Sequence, residues 1–322
     1  MDILKEKIVL VFRKSKTLFR KRRKWFLAIF VFLALGWLSG FGVGWWWSHG
    51  RLSKFPETSS DTRLLILSPH PDDEILIAGG LIQRIIRNGG KVKVVYLTTG
   101  DSSVFSLIKS DKSLRLTPGQ FVDLANRRHD EALSATKVLG LNESDLFFLG
   151  FPDQGLREVL AREKGDPRGP VVSRATKLDH VAYSWAYKDG QEYYVDNLEA
   201  DLIEICNSFK PNLVITTHPM DTHPDHKAAS EIAEMLKNRL GFKFDLYLAL
   251  VHYRDYPPHG FIYPPKKLFN DRWLSFELTE VEMKNKMESL DKYSSQVGGY
   301  DKIWYLRFVA PNEIFERYES LF

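Results

Sequence analysis

Residues 63–87 read RLLILSPHPDDEILIAGGLIQRIIR. Arg63–Ser68 is a short apolar run that reads as a buried strand. Ile75–Arg87 carries apolar residues at helical spacing and closes on Asn88-Gly89-Gly90, a helix stop. The turn between them holds His70, Asp72, Asp73 and Glu74. Ionisable groups crowded beside an apolar strand are costly unless something compensates them, and a divalent cation would. Asp72, Asp73 and Glu74 also suit a plainer role, capping the helix at its positive dipole end.

Beyond this segment, strands and helices alternate. Lys91–Thr98 (KVKVVYLT) reads as a strand and Phe121–Leu139 as a helix stopped by Gly140; Asp145–Leu149 is a short strand and Asn197–Phe209 a helix. Asn212–Thr217 (NLVITT) reads as a strand, His226–Leu240 as a helix, Phe244–Tyr253 as a strand and Thr279–Tyr293 as a helix. This order predicts a Rossmann-like α/β fold, a mostly parallel sheet with helices on both faces. Ligands then bind beyond the carboxyl ends of the strands. Residues 155–195 break the rhythm with Gly, Pro and charged residues and then WAYKDGQEYY, which reads as an inserted loop or small hairpin near the site mouth. Tyr183, Trp185, Tyr187, Tyr193 and Tyr194 in it suit either stacking on sugar rings or hairpin packing.

The second strand end with chemistry is Thr217–His226, THPMDTHPDH, again after an apolar strand and before a helix. One acidic turn alone is most simply a cap, and one histidine alone a packed or surface side chain. A His-Asp-Asp strand end beside a His-rich strand end at the same sheet edge points instead to a metal held by His and carboxylates. The single cysteine, Cys206, excludes an internal disulfide and a Cys-rich zinc site. Zinc suits imidazole and carboxylate ligands, with another divalent metal as the alternative.

PHPDDE followed later by HPDH resembles the PIG-L/LmbE family of zinc-dependent N-acetylglucosaminyl deacetylases. Arg128-x-x-Glu131 with Ala135 and Leu139-Gly140, Phe148–Asp153 (FLGFPD) and Tyr293–Gln296 (YSSQ) resemble further family segments, so the likeness covers about residues 63–318. The resemblance implies that His70, Asp73 and His226 hold the metal and that Asp72 takes a proton from the attacking water. It implies that His223 stabilises the oxyanion or protonates the leaving amine, with Asp225 holding His223 in the needed tautomer. Arg128, Asp153, His218 and Asp221 are expected to contact substrate or support the site; Arg128 would otherwise be a solvated helix charge and His218 a core histidine.

The N-terminus reads separately. Residues 1–24 carry ten bases against Asp2 and Glu6, a charge of +8 that leaves the remaining 298 residues at −4. The basic excess belongs to a tail, so no nucleic-acid partner is expected. Residues 25–47 then run 23 positions without a charge. As a helix they span roughly 34 Å, enough for a bilayer core, with tryptophans where aromatic belts form. A signal peptide would be shorter and end on small residues. The expected domains are a basic cytoplasmic tail (1–24), a transmembrane helix (25–47), a linker (48–62) and a deacetylase-like domain (63–322). Basic residues stay cytoplasmic, so the catalytic domain is expected to be extracytoplasmic. Gly36, Gly40 and Gly44 form a stripe that would let two such helices pair.

Three functions remain open at this stage. One is a membrane-anchored hydrolase removing acetyl from an N-acetylated amino sugar. The second is a metal amidase for another N-acyl substrate. The third is a catalytically silent sugar-binding module, for which neither Asp72 nor His223 would be needed.

Overall fold

The computed structural model describes residues 23–40, 42–46, 50–104, 107, 116–298 and 301–319. Its strands are β1 (Ser53–Lys54), β2 (Arg63–Ser68), β3 (Lys91–Thr98), β4 (Leu146–Phe151), β5 (Leu213–Thr217), β6 (Asp245–Ala249), β7 (Trp273–Glu277) and β8 (Asn312–Arg317). They form one sheet in the order β1-β7-β8-β6-β5-β2-β3-β4. All pairs are parallel except those of β8, which runs antiparallel to β6 and β7.

In the parallel part the chain advances from β2 through β3 to β4, then returns to lay β5 and β6 on the other side of β2. The direction of winding therefore reverses between β2 and β5, where open sheets of this kind bind ligands. Leu67 pairs with Thr216, so the two strands end level and release their turns side by side.

The helices are α1 (Arg23–Trp46), α2 (Asp73–Arg87), α3 (Pro118–Val138), α4 (Leu156–Leu160), α5 (Val195–Phe209), α6 (Pro224–Arg239), α7 (Glu280–Leu290) and α8 (Asp301–Leu306). Because strand side chains alternate, Leu64 and Ile66 enter the core shared with α2 and α7, while Leu65 and Leu67 enter the core shared with α5 and α6. All four are fully buried. Each contributes roughly 1.5–3 kcal/mol by leaving water, which is why β2 reads as a continuous apolar run.

Helix α2 is broken. Ala78 leaves helical geometry at φ −143° and ψ 17°. Glu313 on β8 accepts the backbone N–H groups of Gly80 (2.7 Å) and Leu81 (3.0 Å) at the break. Lys286 on α7 donates to Leu76 O (3.0 Å) and to Glu313 (2.7 Å), and both side chains are buried. The ion pair thus supplies partners for backbone groups that a buried break would leave costly.

Several expectations are revised. The expected linker contributes β1, which pairs with β7. Residues 155–195 form α4, a single bridge between His180 and Glu192, otherwise irregular chain and, at Val195, the start of α5. Their aromatics serve packing: Trp185 stacks between His129 (4.5 Å) and Tyr183 (4.7 Å), and Tyr183 and Tyr193 are buried. The α1 segment has a mean hydropathy of 2.2 with none of its apolar window buried, so it is long and apolar enough to cross a membrane by length and composition. Residues 1–22 of the basic tail and Trp47 lie outside the described residues. Within the glycine stripe Gly44 is already covered, since a Cβ there would stand 2.9 Å from Phe261 O.

Candidate metal centre

The two level turns bring three donor atoms together. Asp73 Oδ2 accepts the backbone N–H of His70 at 3.1 Å and lies 3.1 Å from His70 Nδ1 and 3.2 Å from His226 Nε2. The two imidazole nitrogens are 3.3 Å apart. Ligand atoms around a tetrahedral metal with bonds of about 2.0–2.1 Å stand about 3.3 Å apart. All three side chains are buried. The donor set and its spacing therefore fit a divalent metal.

Each imidazole has carboxylates behind it. His226 Nδ1 is 3.1 Å from Asp221 Oδ2, off the line of a good hydrogen bond. His70 Nε2 is 3.2 Å from Asp153 Oδ1 and 3.3 Å from Asp225 Oδ2. Asp153, Asp225, His70 and His223 also offer donor atoms within 4.8 Å of one another. The trio is the tighter set, its donor atoms standing 3.1, 3.2 and 3.3 Å apart. Ser102 donates to Asp153 (2.8 Å), and Gln154 (2.6 Å) and Leu156 (3.1 Å) donate to Asp225. Carboxylates placed behind metal-binding histidines fix ring orientation and tautomer.

This corrects the expectation for Asp225, whose carboxylate backs His70 and not His223. The ring of His223 is oriented by the backbone instead. His223 is the N-cap of α6, and its Nδ1 accepts the N–H of Asp225 at 3.3 Å, with Pro224 starting the helix. Its ring stands 4.6 Å from that of His70 and 5.0 Å from that of His226. Burial, with His70 and His226 alongside, pushes the His223 imidazole down to about 3.

Asp72 does not cap α2, for its side chain makes no capping bond. Its φ of +127° is a strained value for a residue with a Cβ, of the kind that costs about 1–3 kcal/mol and collects at functional sites. Oδ2 accepts from Arg128 Nη2 and from the Tyr305 hydroxyl, each at 3.1 Å. Oδ1 has no partner among the described residues, and Asp72 lines a cleft of about 250 Å³ over the trio. Burial pushes its carboxyl up to about 6 against the pull of Arg128. Glu74 lies beneath: it accepts the Asp72 N–H at 2.9 Å and the Tyr293 hydroxyl, and burial pushes it up to about 7.

Of the four expected substrate contacts, Arg128 and Asp153 line the cleft. Arg128 also donates to Pro71 O and to Gly100 O (2.7 Å). Gly100 has φ +63°, and a Cβ there would come within 2.5 Å of that guanidinium, so a glycine is required for the arginine to reach the turn. Asp221 and His218 do not line the cleft. The Asp221 carboxylate is spent on the N–H groups of His223 (2.9 Å), Val251 (3.0 Å) and His252 (2.8 Å). His218 is turned the other way, to Glu316 at 2.6 Å and onto Trp273. The core-histidine alternative therefore describes His218.

Residues not anticipated also line the cleft, among them Gln154, His252, Trp304 and Tyr305. His252 follows β6, and a histidine at a strand end was a readable signal. Nothing in the sequence around Trp304 and Tyr305 placed them here.

The sequence matches the family described as PIG-L, GlcNAc-PI de-N-acetylase, over residues 65–236, more than half of the chain. The chain belongs to the PIG-L family. Among curated proteins it is 29% identical over 184 residues to the 1D-myo-inositol 2-acetamido-2-deoxy-alpha-D-glucopyranoside deacetylase of Corynebacterium efficiens, across 56% of this chain and 51% of that protein. The chain spans about half the length of the curated relatives it matches. The fold is similar to that of the A40926 pseudoaglycone deacetylase, with a TM-score of 0.53 and 20% identity over 80% of this chain and 96% of that one. It is also similar to the 4-carboxy-2-hydroxymuconate hydratase of Pseudomonas putida, with a TM-score of 0.51 and 16% identity over 81% and 98%. One PIG-L-like fold thus carries two chemistries, and the reaction must be argued from the site.

Proposed function

We propose that this chain is a metal-dependent N-deacetylase that removes acetyl from an N-acetylated amino sugar. The observation that carries the reading is the buried triangle of His70 Nδ1, Asp73 Oδ2 and His226 Nε2, lying under a cleft that Asp72 and His223 both line. His70, Asp73 and His226 would hold a divalent metal, zinc by preference for two imidazoles and a carboxylate, which when bound would supply Lewis-acid polarisation of the acyl oxygen and a more acidic water. Asp72 takes the proton of the attacking water through its open Oδ1, while Arg128 and Tyr305 hold Oδ2. His223, neutral at rest, passes its ring proton to the nitrogen as the C–N bond breaks and is restored by the proton that Asp72 took from the water, releasing acetate and the free amine. Asp153 and Asp225 keep His70 turned toward the metal. A binding module would need neither an open base nor an open imidazole, so hydrolysis is the better account.

The PIG-L match and the deacetylase named in Corynebacterium efficiens support an amino-sugar substrate. We assign α1 as a membrane anchor with the domain after residue 50 extracytoplasmic, on the strength of its apolar length and the basic residues before it. Acetate release by the purified full chain from methyl N-acetylglucosaminide and from lipid-linked N-acetylglucosamine tests the reaction. No release from any N-acetylated amino sugar by the metal-loaded chain refutes it. A reporter fused after Phe322 tests the orientation, and cytosolic reporter activity reverses it.

A further inference from the structure

A third imidazole stands in the cleft without a task in the proposed reaction. The ring of His252 stacks on that of Trp304, 5.1 Å away and only 4° from parallel. Its centroid is 5.0 Å from His226 and 5.8 Å from His223. Its backbone is pinned on both sides: the N–H donates to Asp221 (2.8 Å), and the carbonyl accepts the N–H (2.7 Å) and hydroxyl (3.0 Å) of Thr222. Trp304 is pinned in turn, donating from Nε1 to Tyr256 O at 3.1 Å. Yet among the described residues nothing hydrogen-bonds to either ring nitrogen of His252, which is half-buried and lines the cleft. A rigidly held polar ring with an open edge in a cleft is a ready group for fixing a ligand's orientation.

Its neighbours say which part of a ligand it meets. His223 is the group placed to protonate the leaving nitrogen, and the sugar is what that nitrogen carries. His252 lies beside His223, whereas Asp72 is held by Arg128 and Tyr305. The polar groups next to the nitrogen-bearing carbon of a 2-acetamido sugar are the glycosidic oxygen on one side and a hydroxyl on the other. In a glycoside that hydroxyl alone can both donate and accept, matching a neutral imidazole in either tautomer. We propose that His252 is a specificity-determining residue that hydrogen-bonds the hydroxyl vicinal to the acetamido group, with Trp304 as its backing. This rests on the deacetylase reading.

The test compares methyl N-acetylglucosaminide with its 3-deoxy analogue on the full chain in detergent. His252→Ala is expected to lower kcat/KM roughly tenfold on the first, the worth of one neutral hydrogen bond, and less than twofold on the second. His252→Gln, which keeps a donor and an acceptor, should recover part of the loss. Equal losses on both substrates, or none on either, overturn the assignment while leaving the deacetylase reading intact. A second arm needs no turnover. In saturation-transfer NMR with metal-depleted chain, the sugar H3 signal should weaken relative to the acetyl methyl in His252→Ala. An unchanged ratio overturns the contact. Should wild type release no acetate, the deacetylase reading fails by itself and this ratio alone decides the contact.

Discussion

The turns after β2 and after β5 are written in similar letters but are held in different ways. The first, at His70–Glu74, is braced by distant chain. Arg128 and Tyr305 hold the Asp72 carboxylate, Tyr293 holds Glu74, and Asp153 and Asp225 stand behind His70. The second turn is braced by its own helix start and by the turn after β6. Asp221 gathers the N–H groups of His223, Val251 and His252, and His223 caps the helix that carries His226. A strained turn at φ +127° needs outside support, whereas an unstrained one beginning a helix is set by its own backbone. The shared family segments follow from this: Arg128-x-x-Glu131 and Tyr293–Gln296 are the first turn's scaffolding, and Glu131 in turn binds Ser294 (2.8 Å) and Ser295 (2.6 Å).

The largest effect should come where the two turns meet. Asp73→Ala and His226→Ala each remove one corner of the triangle, so bound metal should fall to near zero by elemental analysis and activity to background. Full metal content in either would take that residue out of the cage. Next, Asp72→Asn preserves shape but cannot accept a proton, so kcat should drop about 10²–10⁴-fold with metal retained. Near wild-type kcat with metal bound would sink Asp72 as the base.

The braces then separate the turns. Arg128→Gln should lower kcat about 10–100-fold with little change in metal affinity, because it loosens Asp72. Asp221→Asn should instead weaken metal affinity by a similar factor, because it stands behind His226. The same signature from both variants would erase the distinction. The smallest effect on rate is expected at His218→Gln: kcat within about twofold, but stability lower by about 1–3 kcal/mol as the buried bond to Glu316 is weakened. A large loss of kcat/KM without loss of stability would return His218 to the substrate.

Much of the fold was legible because buried parallel strands are apolar throughout. The bounds of β2 and β3 coincide with the runs RLLILS and KVKVVYLT. The far edge was not legible. WLSFE and NEIFER mix charges with apolar residues, since β8 buries Glu313 against Lys286 and Glu316 against His218, and β1 is two residues long. In the site, pattern pointed to His70, Asp72, Asp73, His223 and His226, side chains that the fold brings together because position along a strand end is enough to gather them. It misassigned Asp225 and His218 because the direction of a side chain within a turn depends on its partners. Those partners, Gln154 for Asp225 and Glu316 for His218, lie 71 and 98 residues away.

The break in α2 has a bearing on when the protein becomes competent during its synthesis. Gly80 and Leu81 wait for a carboxylate that is encoded 233 and 232 residues later. Until the last strand emerges from the ribosome and enters the sheet, the helix that begins at Asp73 lacks the partners of its own bend. A nascent chain can therefore complete the parallel strands while that bend is still unset. The bend of the helix that begins at Asp73 is in this sense set by Glu313, a residue far along the chain.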